Sequence, residues 1–211
     1  MKTNPELRNE AKAFMAGNWK SAVIITLVNV LIITAFELLN IGDSIVTKIL
    51  YFVVAMLVLL PLNYGYLMTF LRFSRGENLA VENLFAMFKG DYYKKSVVLG
   101  LLNMVYTLLW TLLLIVPGLI KSLSYALAPY IMIDNPELSA EEAICKSMKM
   151  MEGHKMDLFL IQLGYVGLGL LSMLLLGIPL LWLMPYYQVV YAKFYEEIKN
   201  DNRTPEAIAQ V

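Results

Sequence analysis

The sequence predicts an all-α, polytopic transmembrane helix bundle, and three observations support this fold class. Of the 211 residues, 59% are hydrophobic and 16% are charged, whereas soluble domains are about one-quarter charged. Residues 158–192 contain no charged side chain over a run of 35 residues, and only Lys121 interrupts a second apolar run at 97–133. Because one crossing of the hydrocarbon core needs roughly 20 apolar residues, each run is long enough for two crossings.

Six spans are predicted, arranged as three hairpins in one integral membrane domain over residues 1–198, followed by a cytoplasmic tail at 199–211. The turns are expected at residues 40–44, at Pro117-Gly118 and at Gly177-Ile178-Pro179, since glycine and proline interrupt helices. The two shortest arms, 119–133 and 178–195, leave a tilted or re-entrant arrangement open. The predicted spans are 22–39, 49–70, 97–116, 119–133, 158–176 and 178–195.

The basic residues predict the orientation of these spans. On one side lie 15 of the 17 lysines and arginines, which leaves Lys48 and Lys121 on the other side. Positive residues favour the cytoplasmic face of a membrane, so both termini are predicted to be cytoplasmic.

Each hairpin is preceded by a short amphipathic segment that ends near a glycine, at Gly17, Gly90 and Gly153. Two of these segments begin with the sequence Asn-Pro-Glu, which favours a helix start. We expect three short interfacial helices that brace the hairpins on the cytoplasmic face. The alternative is that they form a docking surface for a protein partner.

Motif residues extend over nearly the whole chain. They include Gly17-Asn18-Trp19, Gly65, Arg75-Gly76-Glu77, Leu84-Phe85, Pro117-Gly118, Lys121, Tyr125, Asp134-Asn135-Pro136, Met151-Glu152-Gly153-His154-Lys155 and Pro185-Tyr186. In these residues the chain resembles the bacterial integral membrane family known as domain of unknown function 975. That family is distantly similar to the membrane domain attached to some glycerophosphodiester phosphodiesterases. The resemblance implies a protein of a bacterial plasma (inner) membrane and implies no activity.

Polar residues inside a membrane are functional candidates because they are costly in hydrocarbon. The candidate binding residues are Lys121, Glu37, Asn63, Tyr125 and Tyr186. Glu37 and Lys121 are predicted at similar depth on different hairpins, so we expect a structural contact between them, with Lys48 and Asp43 as competing partners. Alternatively, Lys121 binds an anionic headgroup or substrate beside the Pro117-Gly118 break.

The motifs of several enzyme classes are missing from the sequence. It contains no GxxxxGK loop, no HExxH and no GxSxG, and one cysteine with one histidine cannot form a zinc site. We therefore expect no catalytic residue, metal or cofactor, and the balanced charge argues against a nucleic-acid partner.

The leading hypothesis is a non-catalytic membrane protein that binds lipid, peptide or a membrane partner. The alternatives are a small secondary carrier or transport accessory with its site near the Pro-Gly break, and a membrane enzyme of unrecognised chemistry. The oligomeric state stays open.

Overall fold

A computed structural model describes residues 2–38 and 44–201, and every regular element in these two ranges is helical. The order of the helices follows the alternation of polar and apolar segments along the chain. A 3-10 helix at Val81–Phe88 separates the third and fourth α-helices. The α-helices are α1 (Asn4–Met15), α2 (Trp19–Glu37), α3 (Ile45–Ser74), α4 (Gly90–Leu113), α5 (Ile115–Tyr125), α6 (Ala128–Asp134), α7 (Ala140–Met150), α8 (Lys155–Met173) and α9 (Leu180–Asn200).

Five segments of the described chain are long and apolar enough to cross a membrane: α2, α3, α4, the α5–α6 pair and α8. The prediction of membrane-spanning helices is confirmed at this level. The predicted span 178–195 corresponds to α9, which is not among the five. Its C-terminal half carries Lys193, Glu196 and Glu197, so its composition is less apolar than that of the others.

The turns between the apolar helices differ in how well the sequence predicts them. The turn expected at Pro117-Gly118 is wrong, because the chain leaves helical geometry at Leu114 and Pro117 lies in the first turn of α5, a position that proline tolerates. Gly118 instead packs closely against Thr111 of α4, and a side chain at position 118 would overlap with Thr111. The turn at Gly177 is confirmed, with a φ of 74° that favours glycine. The turn predicted at residues 40–44 lies mostly outside the described residues.

Two of the three predicted amphipathic helices are α-helical, and the middle one is the 3-10 helix. α1 begins with a capping box between Thr3 and Glu6, and α7 begins with one between Ser139 and Glu142. The Ser139 backbone N–H donates a hydrogen bond to Glu142, which lowers the pKa of that carboxyl group. Both starts are therefore fixed by local side-chain chemistry.

Helix α9 lies at the centre of the bundle and packs against α1, α2, α3 and α8. Tyr187, Val190, Phe194 and Tyr195 on this helix are almost completely buried. The charged residues gather where α3, α6 and α9 end, which we call the charged end. At the opposite, apolar end large aliphatic side chains are exposed, as at Leu176 in the α8–α9 turn, which is 90% exposed. Such a surface fits a hydrocarbon environment.

The break between α5 and α6 is held by Ser147 of α7. Its buried hydroxyl donates to the Ser124 carbonyl at 2.7 Å and accepts from the Leu127 N–H at 3.1 Å. We expect Ser147→Ala to lower the free energy of unfolding by about 1–3 kcal/mol, because both backbone groups lose their partner. Thermal unfolding in detergent micelles measures this loss. Ser122→Ala is the control, since the Ser122 hydroxyl bonds only within its own helix, to Leu119. Equal unfolding midpoints for the two variants would contradict the bridge.

Candidate functional site

Helix α1 is attached to the charged end of α8 and α9 by polar contacts. The Asn4 side-chain amide donates to the Asp157 carbonyl at 3.1 Å, and the Lys2 backbone N–H donates to Glu197 at 2.8 Å. The Tyr186 hydroxyl donates to the Arg8 carbonyl at 3.3 Å. Leu7, Ala11 and Met15 form the buried face of α1. Together these contacts fix which side of α1 faces α8 and α9.

The Arg8 guanidinium occupies a space that exists because residue 164 is glycine. A Cβ atom at Gly164 would lie 2.5 Å from Arg8 Nη2 and 3.1 Å from the Tyr187 hydroxyl oxygen. The Arg8 Nε atom is buried and makes no hydrogen bond. Within residues 2–38 and 44–201 no carboxylate forms an ion pair with Arg8. Arg8 as a whole is half-buried, and a guanidinium group that lacks an anionic partner fits an anion supplied from outside the chain.

A groove of about 360 Å³, whose lining includes Lys12 but not Arg8, lies beside α1 and has a volume within the range of small-molecule sites. It extends from Lys12 and Trp19 towards the α8–α9 turn. Lys12 lies one turn beyond Arg8 on the same side of α1. Apart from Lys12 at its head, the groove is lined almost entirely by apolar side chains. The lining residues are Lys12, Trp19, Leu168, Leu171, Ser172, Leu175, Pro179, Trp182, Leu183 and Tyr186.

This combination of groups selects a ligand with two different parts. The cationic groups of Arg8 and Lys12 suit an anionic head. Leu168 and Leu171 of α8, with Leu175 in the turn that follows, form an apolar surface that suits a hydrocarbon chain. Tryptophan is enriched at membrane interfaces, which fits the position of Trp19 beside Lys12. The groove can thus hold an amphiphile.

A second group of charges, the ionic cluster, consists of Arg75, Asp134, Tyr195, Glu196 and Lys199 at the charged end. Arg75 donates two hydrogen bonds of 2.7 Å to Asp134 and two more to Glu196. Tyr195 and Lys199 donate to Asp134 at 2.8 Å and 2.6 Å. The hydrogen bonds to Asp134 raise the pKa of Arg75 above its ordinary value. Because its groups bind one another, the ionic cluster joins α3, α6 and α9 and is structural.

The predicted binding residues lie apart in the structure. The Lys121 ammonium lies 4.9 Å from the centroid of the Trp110 ring, and the Glu37 carboxylate lies near the Tyr51 hydroxyl. In the described part of the chain no ion pair joins Glu37 to Lys121, so the contact expected between them is not found. Asn63 is exposed on α3, and Tyr125 is buried with its ring centroid 6.2 Å from that of Tyr106.

Of the five predicted residues, only Tyr186 lies in the groove, so its selection as a binding residue stays a prediction. Arg8, Lys12 and Gly164 are not among the binding residues predicted from the sequence. A signal was present in the spacing of four residues between Arg8 and Lys12, which places both beside the buried positions Leu7 and Ala11. Gly164 carried no separate signal, because other glycines occur in the same span.

The chain was compared with protein families, curated proteins and solved structures. Its sequence matches one family, described as "Protein of unknown function (DUF975)", over residues 1–128 and 111–202. No curated protein and no solved structure is significantly similar to it. Within the described residues, no group of three or more histidine, cysteine, aspartate or glutamate side chains is placed to bind a metal ion.

Proposed function

The chain belongs to the DUF975 family of proteins of unknown function, and we propose that it is a non-catalytic, multi-pass membrane protein that binds an anionic lipid in the groove beside Arg8. The observation that carries the proposal is a pair of cations on α1. The Arg8 guanidinium is partly buried and has no carboxylate partner in the described chain, and Lys12, one turn further along α1, lies at the head of an apolar groove. The proposed location is a bacterial plasma membrane.

The proposed topology has six spans in three hairpins, with both termini in the cytoplasm. The start of α1 contacts both the start of α8, through Asn4, and the C-terminal end of α9, through Lys2. If α8 crosses the membrane, α9 must therefore cross back to the same side. Central burial of α9 compensates for its lower hydropathy. The basic residues at the charged end support a cytoplasmic orientation for that end.

In the proposed complex the lipid phosphate or carboxylate contacts Arg8 and Lys12. Guanidinium groups bind such oxyanions through paired hydrogen bonds, and no carboxylate of the described chain occupies the guanidinium group of Arg8. One acyl chain lies along Leu168, Leu171 and Leu175. The anionic head therefore provides the partner that Arg8 lacks in the described chain, and the acyl chain covers the apolar lining of the groove.

Neutralising Arg8 and Lys12 tests this proposal. We expect the variant with Arg8→Gln and Lys12→Gln to lose affinity for phosphatidylglycerol by about tenfold or more, since charge-assisted hydrogen bonds contribute about 1.5–3 kcal/mol each. Native mass spectrometry of the full chain, released from nanodiscs of mixed phosphatidylglycerol and phosphatidylcholine, measures the lipid that stays bound. Wild-type protein should retain phosphatidylglycerol preferentially.

Lys94→Gln is the matched control, because Lys94 is exposed on α4 near the charged end and does not line the groove. It should retain lipid as the wild type does. Equal retention of both lipids by the wild type, or unchanged selectivity in the double variant, would contradict an anionic lipid site. Retention of a peptide in place of lipid would assign the groove to a peptide ligand instead.

A further inference from the structure

The α5–α6 pair is a discontinuous helix within one apolar segment. α5 ends at Tyr125 and α6 begins at Ala128. Pro129 has no N–H group, so the Tyr125 carbonyl four residues earlier has no helical donor. Interrupted helices inside a membrane are tolerated where they are buried in protein or line a polar cavity. Here the break adjoins such a cavity.

The cavity has a volume of about 180 Å³ and lies between α3, the α5–α6 break, α8 and α9. It is separate from the groove beside Arg8, and the two share no lining residue. Its polar lining comes from amide and phenol side chains. The residues that matter are Ala126, Leu127, Tyr130, Gln162, Gln188 and Tyr191.

Two polar atoms of this lining have no hydrogen-bond partner. They are the Tyr130 hydroxyl oxygen and Gln188 Oε1, and both are buried. Tyr130 is only 4% exposed, because its ring stacks on Tyr195 with centroids 5.3 Å apart. A buried polar group without a partner destabilises a protein unless water or a ligand satisfies it. An occupant of the cavity that donates and accepts hydrogen bonds would satisfy both groups.

The chemistry of the lining restricts that occupant. The residues of the described chain that line the cavity include no charged side chain, so an ionic ligand would be buried without a counter-charge. Glutamine and tyrosine both donate and accept hydrogen bonds. The volume corresponds to about six water molecules and is below that of a drug-sized site.

We infer that this cavity is a binding site for a small uncharged solute of the polyol or amide class, held by hydrogen bonds to Tyr130 and Gln188. The inference rests on the cavity alone and does not depend on lipid binding in the groove. The solute donates to Gln188 Oε1 and exchanges a hydrogen bond with the Tyr130 hydroxyl.

Saturation-transfer NMR on the full chain in lipid nanodiscs tests the inference, with glycerol, urea and acetamide as probes and lactate and ammonium as charged comparisons. We expect at least one uncharged probe to give a saturable signal and the charged compounds to give none. Gln188→Leu and Tyr130→Phe should each raise the Kd of that probe about tenfold, the effect of one lost buried hydrogen bond.

Asn9→Leu and Tyr106→Phe are the matched controls, since these amide and phenol groups lie on α1 and α4 outside the cavity. They should leave the Kd unchanged. If Gln188→Leu fails to fold, Tyr130→Phe, which removes a single oxygen atom, provides the test. The inference is overturned if no uncharged probe gives a signal, which would mean a cavity filled by water only. Equal binding of the charged compounds, or an unchanged Kd in Tyr130→Phe, would also overturn it.

Discussion

Replacing Gly65 by alanine is expected to prevent the bundle from folding stably. Gly65 lies in α3 where this helix crosses the 3-10 helix, and a Cβ atom there would lie 2.0 Å from the Leu84 carbonyl oxygen and 2.7 Å from its carbon. Both contacts are with backbone, and Leu84 is completely buried, so neither side can move without separating the two helices. Overpacking in a core typically costs about 1–3 kcal/mol, and we expect at least the upper end of this range.

Alanine substitutions at two other helical glycines serve as controls for the loss of stability in Gly65→Ala. At Gly100 the three atoms nearest to an added Cβ all belong to the side chain of Leu60, which can rotate, and at Gly167 an added Cβ would meet nothing within 4 Å. Gly167→Ala should be neutral or stabilising by about 1 kcal/mol, because alanine favours helix more than glycine does. We expect the thermal unfolding midpoint in detergent to fall most for Gly65→Ala and less for Gly100→Ala. If Gly65→Ala and Gly167→Ala unfold at the same temperature, the close approach of α3 to Leu84 is wrong.

The sequence predicts those features of the fold that depend on residues close together along the chain. The apolar runs predict where helices lie, and the capping residues Ser139 and Glu142 predict where α7 begins. The position of a turn depends on more than the residues that commonly interrupt helices. Proline is compatible both with a loop between two helices and with the first turn of a helix. At Pro117 the close packing of Gly118 against Thr111 favours the first turn of α5.

The binding residues were harder to predict, because hydropathy gives the depth of a residue in the membrane but not its direction around the helix. Glu37 and Lys121 were assigned similar depth, yet each has a different aromatic neighbour, Tyr51 and Trp110. Arg8 was assigned to an interfacial helix, and only the three-dimensional packing shows that it faces Gly164. A cationic residue can be identified in a sequence, whereas the space that its side chain occupies in the fold cannot.

The second large effect is expected at Asp134, the residue through which the ionic cluster joins α3, α6 and α9. Its side chain is 8% exposed and accepts hydrogen bonds from Arg75, Tyr195 and Lys199. Asp134→Asn keeps the shape of the side chain but removes the charge that both cations require. Removing one partner of a buried ion pair costs about 3–5 kcal/mol. Since Arg75 is 32% exposed, water compensates in part and we expect a loss of about 2–4 kcal/mol.

Asp157→Asn is the matched control, because the Asp157 side chain is 46% exposed and lies 4.0 Å from the His154 imidazole, at the distance limit of an ion pair. An exposed pair of this kind contributes about 0–1 kcal/mol, so the unfolding midpoint of this variant should stay near that of the wild type. The double variant Asp134→Asn with Arg75→Gln should lose less than the sum of its single variants, because residues that share a network are energetically coupled. Strict additivity would mean that Arg75 and Asp134 act independently. In that case α3 and α6 would be joined by apolar packing, and the ionic cluster would contribute little to stability.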